Sequence, residues 1–223
     1  MSEFNDNNWK WISPHLNDDY TIVVETGTFI GDTAEYFSRH FKEVHTIELD
    51  RGLFTAVSNK FINYPNVFCY LGDSASILSS GGLIDDLNNK KDANVFFFLD
   101  AHWSGDDTVD WANSKWTGVN SWARGKNTAH RGNATTPTAV EQQPLEEEII
   151  HIYNKFKNEC VICVDDWNNI GEDGLGVKNN EFIGEDWSNI DFNKIKENIK
   201  DRLLEEPIVI IDENKLIIKL KKM

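Results

Sequence analysis

Acidic residues follow five successive segments that have the character of buried strands. Carboxylates at such positions can accept hydrogen bonds from sugar hydroxyls or ligate a divalent cation. The carboxyl ends of parallel strands meet at one edge of a sheet, where open α/β sheets bind their ligands. Any solvated turn offers one acid, but five in succession indicate a binding edge. The acids are Glu25, Glu48, Asp73, Asp100 and the pair Asp165-Asp166.

Residues 21–31, read T-I-V-V-E-T-G-T-F-I-G, combine a β-branched strand with two glycines. Gly27 suits the positive φ of a tight turn, and Gly31 lets the next helix approach the strand and a ligand closely. Strand, glycine turn and helix form the first unit of a nucleotide-binding α/β sheet. Phe29 stands where the dinucleotide fingerprint has its middle glycine, so an ordinary βα turn is the alternative interpretation.

Glu48 follows Gly27 by 21 residues, close to the spacing of about 20 that a ribose-binding acid shows. A carboxylate can accept hydrogen bonds from both ribose hydroxyls. It also repels a 2′-phosphate, which disfavours NADP as a ligand.

Hydrophobic patterning predicts the elements that must position these acids. Strands are predicted over 21–24, 43–49, 66–71, 94–99, 159–164, 207–212 and 215–220. Helices are predicted over 34–41, 51–61, 75–89, 145–157 and 191–204, with Asp32 or Thr33 capping the first. Five βα units and a terminal hairpin predict an α/β fold. We expect a Rossmann-like, mostly parallel sheet with an antiparallel C-terminal hairpin and helices on both faces. We expect a single domain over 1–223, in which 1–20 is a lead-in that covers the sheet or the pocket.

The amino-acid composition disfavours some classes of binding partner. The 223 residues include 37 acidic and 22 basic ones, a formal net charge of −15, which argues against nucleic acid and anionic membranes. The chain shows neither an apolar run of ~20 residues nor the apolar region of a signal peptide.

Cys160 and Cys163 form C-x-x-C, but residues three apart on a strand face opposite sides, so we expect buried core thiols. With Cys69 as the third cysteine, a reducing cytoplasmic location is predicted.

Five segments in order, E-T-G-T-F-I-G, T-I-E-L-D, G-D-S-A, F-L-D-A-H-W and V-D-D-W, resemble the class I S-adenosylmethionine-dependent methyltransferases. The resemblance covers roughly 21–167 and the terminal hairpin, which matches the seven-stranded sheet of that family. It implies S-adenosyl-L-methionine as cofactor, with the glycine turn around the methionine part. Glu48 would bind the ribose, and Asp73 and Ser74 would meet the adenine. The implied cofactor-binding residues are Glu25, Thr26, Gly27, Thr28, Gly31, Thr33, Glu48, Asp73, Ser74 and Asp100.

A narrower resemblance is to the cation-dependent O-methyltransferases, closest to the macrocin-type sugar O-methyltransferases with a V-D-D-aromatic turn. It implies a divalent-cation site formed by Asp100, Asp165 and Asp166. Three carboxylates favour Mg²⁺ or another hard divalent cation over zinc. Such an ion can orient an acceptor hydroxyl and lower its pKa. The alternative is that the pair caps the next segment and Asp100 supports a turn.

His102, two residues after Asp100, is the first candidate for the catalytic base, since a neutral imidazole removes protons near pH 7. It is alternatively a metal ligand or an ordinary loop histidine, and Asp100 is the second catalytic candidate. His130 and Glu141 are weaker candidates in the same long loop.

Residues 101–143 form a long polar insert, and loops of that length are uncommon unless they are functional or disordered. Its tryptophans argue against disorder. We expect a substrate lid with an aromatic platform for a sugar or planar group; the alternative is that the tryptophans pack the loop onto the sheet. They are Trp103, Trp111, Trp116 and Trp122.

Together these features predict a cation-assisted O-methyltransferase that acts on a hydroxyl of a small acceptor, a sugar or glycan rather than a catechol. The alternatives are a metal-independent, N-directed methyltransferase and a non-catalytic S-adenosylmethionine-binding module. A nicotinamide enzyme fits less well because the glycine turn departs from the dinucleotide fingerprint. We expect no nucleic-acid or membrane partner, and the sequence leaves a homo-oligomer open.

Overall fold

The computed structural model describes residues 4–79, 82–90, 93–101, 143–167 and 190–223. Within these ranges the strands are β1 (Tyr20–Thr26), β2 (Glu43–Glu48), β3 (Val67–Leu71), β4 (Asn94–Leu99), β5 (Cys160–Val164), β6 (Ile208–Ile210) and β7 (Lys215–Leu220). They form one seven-stranded sheet in the order β3-β2-β1-β4-β5-β7-β6. β1 to β5 are parallel, and β7 is antiparallel to both β5 and β6. The predicted α/β fold with its antiparallel C-terminal pair is confirmed.

Helices cover both faces of this sheet. The helices are α1 (Asp6–Ile12), α2 (Asp32–Ser38), α3 (Arg51–Lys60), α4 (Ser74–Ser79), α5 (Leu83–Asn89), α6 (Leu145–Lys155) and α7 (Phe192–Ile199). Apolar residues of α1, α2 and α3 share one core cluster with the sheet. Those of α4 to α7 share the other. None of the helices in the described ranges is long and apolar enough to cross a membrane.

Strand β4 is buried on both sides, which explains its uninterrupted run of apolar residues. Phe96 and Phe98 belong to the cluster beneath α2 and α3, whereas Phe97 belongs to the opposite cluster. Cys160 and Cys163 on β5 divide between the clusters in the same way, and both are free, buried thiols. The prediction that this C-x-x-C contributes two core thiols is confirmed.

The N-terminal lead-in packs on one face of the sheet through aromatic side chains. Trp9 of α1 lies edge-on to Phe37 and Phe41, with ring centroids 6.3 and 5.8 Å away. The Tyr36 hydroxyl donates a hydrogen bond to Asp6 at 2.7 Å. Phe4 also lies edge-on to Phe98 of β4, with ring centroids 5.5 Å apart, so the described part of the lead-in packs against α2 and the sheet.

Two predicted helix features differ from the structure. The helix predicted over 75–89 is two helices, α4 and α5, and Gly82 is the N-cap of the second. Glycine disfavours a continuous helix because of its backbone entropy. Neither Asp32 nor Thr33 caps α2; the N-cap is Gly31, at φ +77°, without a side-chain hydrogen bond. That capping prediction was wrong because α2 begins at Asp32, two residues before the predicted start at 34, so Asp32 and Thr33 are themselves helical.

Candidate functional site

The glycine turn after β1 packs directly against the end of β4. Gly27 has φ +82°, and a Cβ atom there would lie 2.5 Å from the carbonyl oxygen of Asp100. The Asp100 amide donates to the Thr26 carbonyl oxygen at 3.1 Å, which holds the two strand ends together. Only glycine meets both demands, positive φ and contact with the neighbouring backbone. The predicted role of Gly27 in a tight turn is confirmed.

Glu48, at the end of β2, is buried and held by backbone amides. Its Oε2 accepts a hydrogen bond from Phe29 N, and its Oε1 accepts one from Asp50 N, each at 2.8 Å. Phe29 adopts φ +52°, so the residue in place of the fingerprint glycine takes a conformation that glycine favours. Burial raises the pKa of Glu48 to about 7, although both amides lower it. A backbone hydrogen bond from Leu49 lowers this pKa as well, and the remaining acceptor capacity of the carboxylate suits a ribose hydroxyl.

Glu25 lies within β1 and is buried under the turn. Its Oε2 accepts a hydrogen bond from the Thr46 hydroxyl, and Thr28 Oγ1 lies 2.5 Å from Thr46 Oγ1. Burial raises the pKa of Glu25 well above its usual value, and the Thr46 bond only partly offsets this. Glu25 therefore braces the turn from below against β2.

Gly31 approaches a helix rather than the strand that we expected. A Cβ atom on Gly31 would lie 2.8 Å from the ring of Phe61, at the end of α3. Lys60 links the same region by donating to the Ile30 carbonyl oxygen at 3.2 Å and to Asp32 at 2.9 Å. Thr33 is half-buried in the first turn of α2. These contacts fix the start of α2 beside the turn.

Asp73 and Ser74 follow β3 at the same edge. Asp73 is exposed and accepts a hydrogen bond from Ser76 N at 2.7 Å, while Ser74 is buried at the start of α4. The Gly72 amide donates to the Glu48 carbonyl oxygen at 2.9 Å. The segment predicted to meet adenine thus lies beside the acid predicted to bind ribose.

The backbone places two of the three predicted metal ligands on neighbouring strands. Leu99 of β4 pairs with Val164 of β5, and the Asp165 amide donates to the Leu99 carbonyl oxygen at 2.9 Å. Asp100 and Asp165 therefore follow adjacent strand ends, as the sequence predicts.

The side chains at this point do not fit a divalent cation. Asp165 Oδ1 accepts from Asp166 N at 2.7 Å and forms an ion pair with buried Lys215. Asp166, at φ +53°, accepts a hydrogen bond from Asn214 Nδ2 at 3.0 Å. Within the described ranges, no three His, Cys, Asp or Glu side chains converge closely enough to hold a metal ion. Burial lowers the pKa of Lys215, but Asp165 and other nearby groups raise it above its usual value, so the position already holds a cation.

One acid of this site was missed in the sequence. Glu148 on α6 is not among the acids named from the sequence, yet its side chain is buried against Ser74 and Thr26. The spacing of the sequence indicates this burial, because Glu148 falls in helical phase with Leu145 and Ile152, which lie on the buried face of α6.

Several predicted residues lie outside the described ranges. These are the base candidate His102, the weaker candidates His130 and Glu141, and the four tryptophans of the predicted lid. Only residues 101 and 143 of the 101–143 insert are described. The lid and the histidine base stay predictions.

The chain was compared with protein-family models, curated proteins and solved structures. The sequence matches no protein-family model and no curated protein. A candidate S-adenosylmethionine-dependent methyltransferase from Listeria monocytogenes is 13% identical, and the match covers 97% of this chain and 98% of that one with a TM-score of 0.49. An rRNA methylase from Streptococcus thermophilus is 12% identical, and the match covers 100% of this chain and 99% of that one with a TM-score of 0.46. CalS10, an amino pentose methyltransferase from Micromonospora echinaspora, shares 14% identity over 73% of this chain, with a TM-score of 0.41. The match spans 50% of the CalS10 chain. At these identities the similarity concerns the fold alone.

Proposed function

We propose that this chain is an S-adenosyl-L-methionine-dependent methyltransferase that acts on a hydroxyl of a small acceptor, a sugar or glycan. The observation that carries the proposal is the position of Glu48 beside the glycine turn. Its carboxyl group is fixed by the Phe29 and Asp50 amides at the ligand-binding edge of a parallel sheet. A ribose diol is the group that such a fixed carboxylate accepts best.

The bound cofactor supplies a methyl group on a sulfonium sulfur, ready for in-line displacement. The protein binds the cofactor and aligns its methyl group with the acceptor hydroxyl. Glu48 holds the ribose, Asp73 and Ser74 meet the adenine, and the turn around Gly27 receives the methionine part. Positioning of this kind contributes much of the rate of a displacement reaction.

The acceptor hydroxyl must lose its proton as the new C–O bond forms. Asp100, at the end of β4 beside Gly27, is one candidate to accept it, and His102 is the other. A sugar or glycan acceptor is supported by the tryptophan-rich insert between β4 and α6, since aromatic faces suit sugar rings. The high negative charge of the chain supports an acceptor other than nucleic acid.

The proposed methyl transfer does not use Mg²⁺, because Lys215 neutralises Asp165 at the position where the cation was predicted. The same ion pair favours the metal-independent alternative. Three free cysteines support the expected cytoplasmic location.

Calorimetry with S-adenosylmethionine tests the cofactor, and transfer of a labelled methyl group to a panel of hydroxylated sugars tests the reaction. Glu48→Gln should weaken cofactor binding, whereas Glu43→Gln, at the opposite end of β2, serves as the matched control. Failure of the unaltered protein to bind the cofactor would refute the proposal. Binding without transfer to any acceptor would favour the non-catalytic module.

A further inference from the structure

Strand β3 lies at one edge of the sheet and lacks the features that usually keep an edge strand from pairing. Within the described ranges β2 is its only neighbour, and the register between the two strands has no bulge. Residues 61–72, which include β3, carry no charged side chain, although 26% of the chain's residues are charged. Charges, prolines and bulges within an edge strand discourage pairing with another chain, and β3 contains none of them.

The opposite edge of the sheet is protected. Its strand, β6, is only three residues long. Glu205 and Glu206 precede this strand, and Asp212 and Glu213 follow it. Short edge strands with charges beside them resist the addition of a further strand. Of the two edges, β3 is therefore the one that can accept a partner.

The backbone of β3 presents hydrogen-bonding groups along this edge. The Val44 amide of β2 donates to the Asn66 carbonyl oxygen at 2.8 Å. Because successive residues of a strand direct their backbone groups to alternate sides, every second residue after Asn66 faces away from β2. Among the described residues, the only backbone bond to these outward groups goes from the Val67 amide to the Tyr64 carbonyl oxygen at 3.1 Å. The outward residues are Val67, Cys69 and Leu71.

A second copy of β3 matches these groups when it runs antiparallel and is centred on Cys69. The two Cys69 residues then exchange amide-to-carbonyl hydrogen bonds, and each Leu71 amide donates to the Val67 carbonyl oxygen of the other copy. In the same register Phe68 lies opposite Tyr70, and Val67 lies opposite Leu71. Aromatic and aliphatic cross-strand pairs stabilise a sheet, and no like charges meet in this one.

Apolar surface is available beside this edge. The exposed fraction of Phe68 is 43% and that of Leu71 is 37%. Val67 and Cys69 pack on the cluster beneath α3, so the same side chains of a second copy lie on the α3 face of the sheet. A groove of about 400 Å³ lies between α3 and the strand on that face. The groove is lined by Ser58, Phe61, Val67, Phe68, Cys69 and Tyr70.

We propose that two copies of this chain pair through β3, antiparallel about a two-fold axis at Cys69, so that their sheets become continuous. A second copy fits better than an unrelated strand because the edge is self-complementary under this symmetry. Two chains of net charge −15 repel each other, and this register brings them together along an uncharged stretch of each. The pairing is independent of the proposed function, since it involves neither a cofactor nor an acceptor.

Sedimentation equilibrium of the full chain tests the pairing, and the unaltered protein should be a dimer at micromolar concentration. Phe68→Glu places a carboxylate opposite Tyr70 of the other copy. It should raise the dissociation constant at least about tenfold, because the two-fold axis repeats each lost contact. Ile211→Glu is the matched control, since Ile211 is an exposed apolar residue beside β6, and it should leave the dissociation constant unchanged.

Crosslinking at Cys69 gives a second measurement, which needs no substitution. Cys160 and Cys163 are buried, so a short bismaleimide can join two folded chains only through Cys69. The proposed register puts the two Cys69 Cα atoms about 5.5 Å apart, within reach of the reagent. The unaltered protein should therefore form a covalent dimer, and Phe68→Glu should form about tenfold less at the same protein concentration.

A monomeric unaltered protein would overturn the pairing. So would a dimer that Phe68→Glu leaves intact, or one in which Cys69 does not crosslink. Urea unfolding shows whether Phe68→Glu is folded; if it is not, crosslinking of the unaltered protein decides.

Discussion

The ammonium group of Lys215, the first residue of β7, is paired with the carboxylate of Asp165, the residue that follows β5. The pairing follows from the sheet, because Val164 lies opposite Leu216 on these antiparallel neighbours. The Lys215 side chain is only 7% exposed, so solvent screens the pair little. A protein cation thereby stands at the strand edge where the acids alone suggested a metal ion.

We expect the unaltered chain to show no tight Mn²⁺ site, because Lys215 already neutralises Asp165. Lys215→Met removes the competing ammonium and should strengthen Mn²⁺ binding about tenfold or more, since Asp165 then lacks the counter-charge of Lys215. Electron paramagnetic resonance of free Mn²⁺ during titration measures both affinities.

Lys219→Met is the control for Mn²⁺ binding, because Lys219 lies on the same strand but pairs with the more exposed Glu205. Stoichiometric Mn²⁺ binding by the unaltered chain that Asp165→Asn abolishes would restore the predicted metal site. Activity that survives treatment with a chelator would support its absence.

Gly27→Ala should destabilise the protein by about 2–4 kcal/mol, from the positive φ and the clash with the Asp100 carbonyl oxygen together. Urea unfolding measures the change in free energy. Gly82→Ala is the control, since its Cβ would meet nothing within 4 Å, and we expect a change below about 1 kcal/mol, which comes from the loss of a glycine N-cap. Equal effects of the two substitutions would contradict the assigned contact.

Ionisation of Glu48 should couple stability to pH. Because burial raises its folded pKa to about 7, the neutral acid is favoured in the folded state. The resulting stabilisation is complete below the unfolded pKa and is lost as the pH rises through about 7, by about 3 kcal/mol in total. Urea unfolding at several pH values should therefore show a steeper decline for the unaltered protein than for Glu48→Gln. Parallel curves would show that Glu48 titrates normally.

The thiols of Cys160 and Cys163 should be inert in the folded protein. Burial raises the pKa of Cys160 to about 12 and raises that of Cys163 as well, so neither forms a reactive thiolate at neutral pH. Ellman's reagent should modify neither residue until the chain is unfolded in urea, when all three cysteines should react. Rapid modification of Cys160 or Cys163 without denaturant would contradict their burial on opposite faces of the sheet.

Local patterns were sufficient for most of the architecture. The β-branched and aromatic runs of β1 and β4, and the glycine at Gly27, encode their conformations within a few residues. The edge of the sheet that carries the acids then follows, because parallel strands present their carboxyl ends together. The division of Cys160 and Cys163 between two faces is another consequence of strand periodicity alone.

What the sequence by itself determined is therefore the sheet, its glycine turn and the row of acids along one edge. Only the tertiary structure decided which acids are already engaged. Lys215 lies 50 residues from Asp165, and Glu148 lies 74 residues from Ser74. Contacts between residues so far apart in the chain cannot be recognised from a local sequence pattern. The charge and hydrogen-bonding state of a carboxylate depend on neighbours that packing brings within a few ångströms. Those contacts, rather than the residue types, separate an occupied carboxylate from one that awaits a ligand.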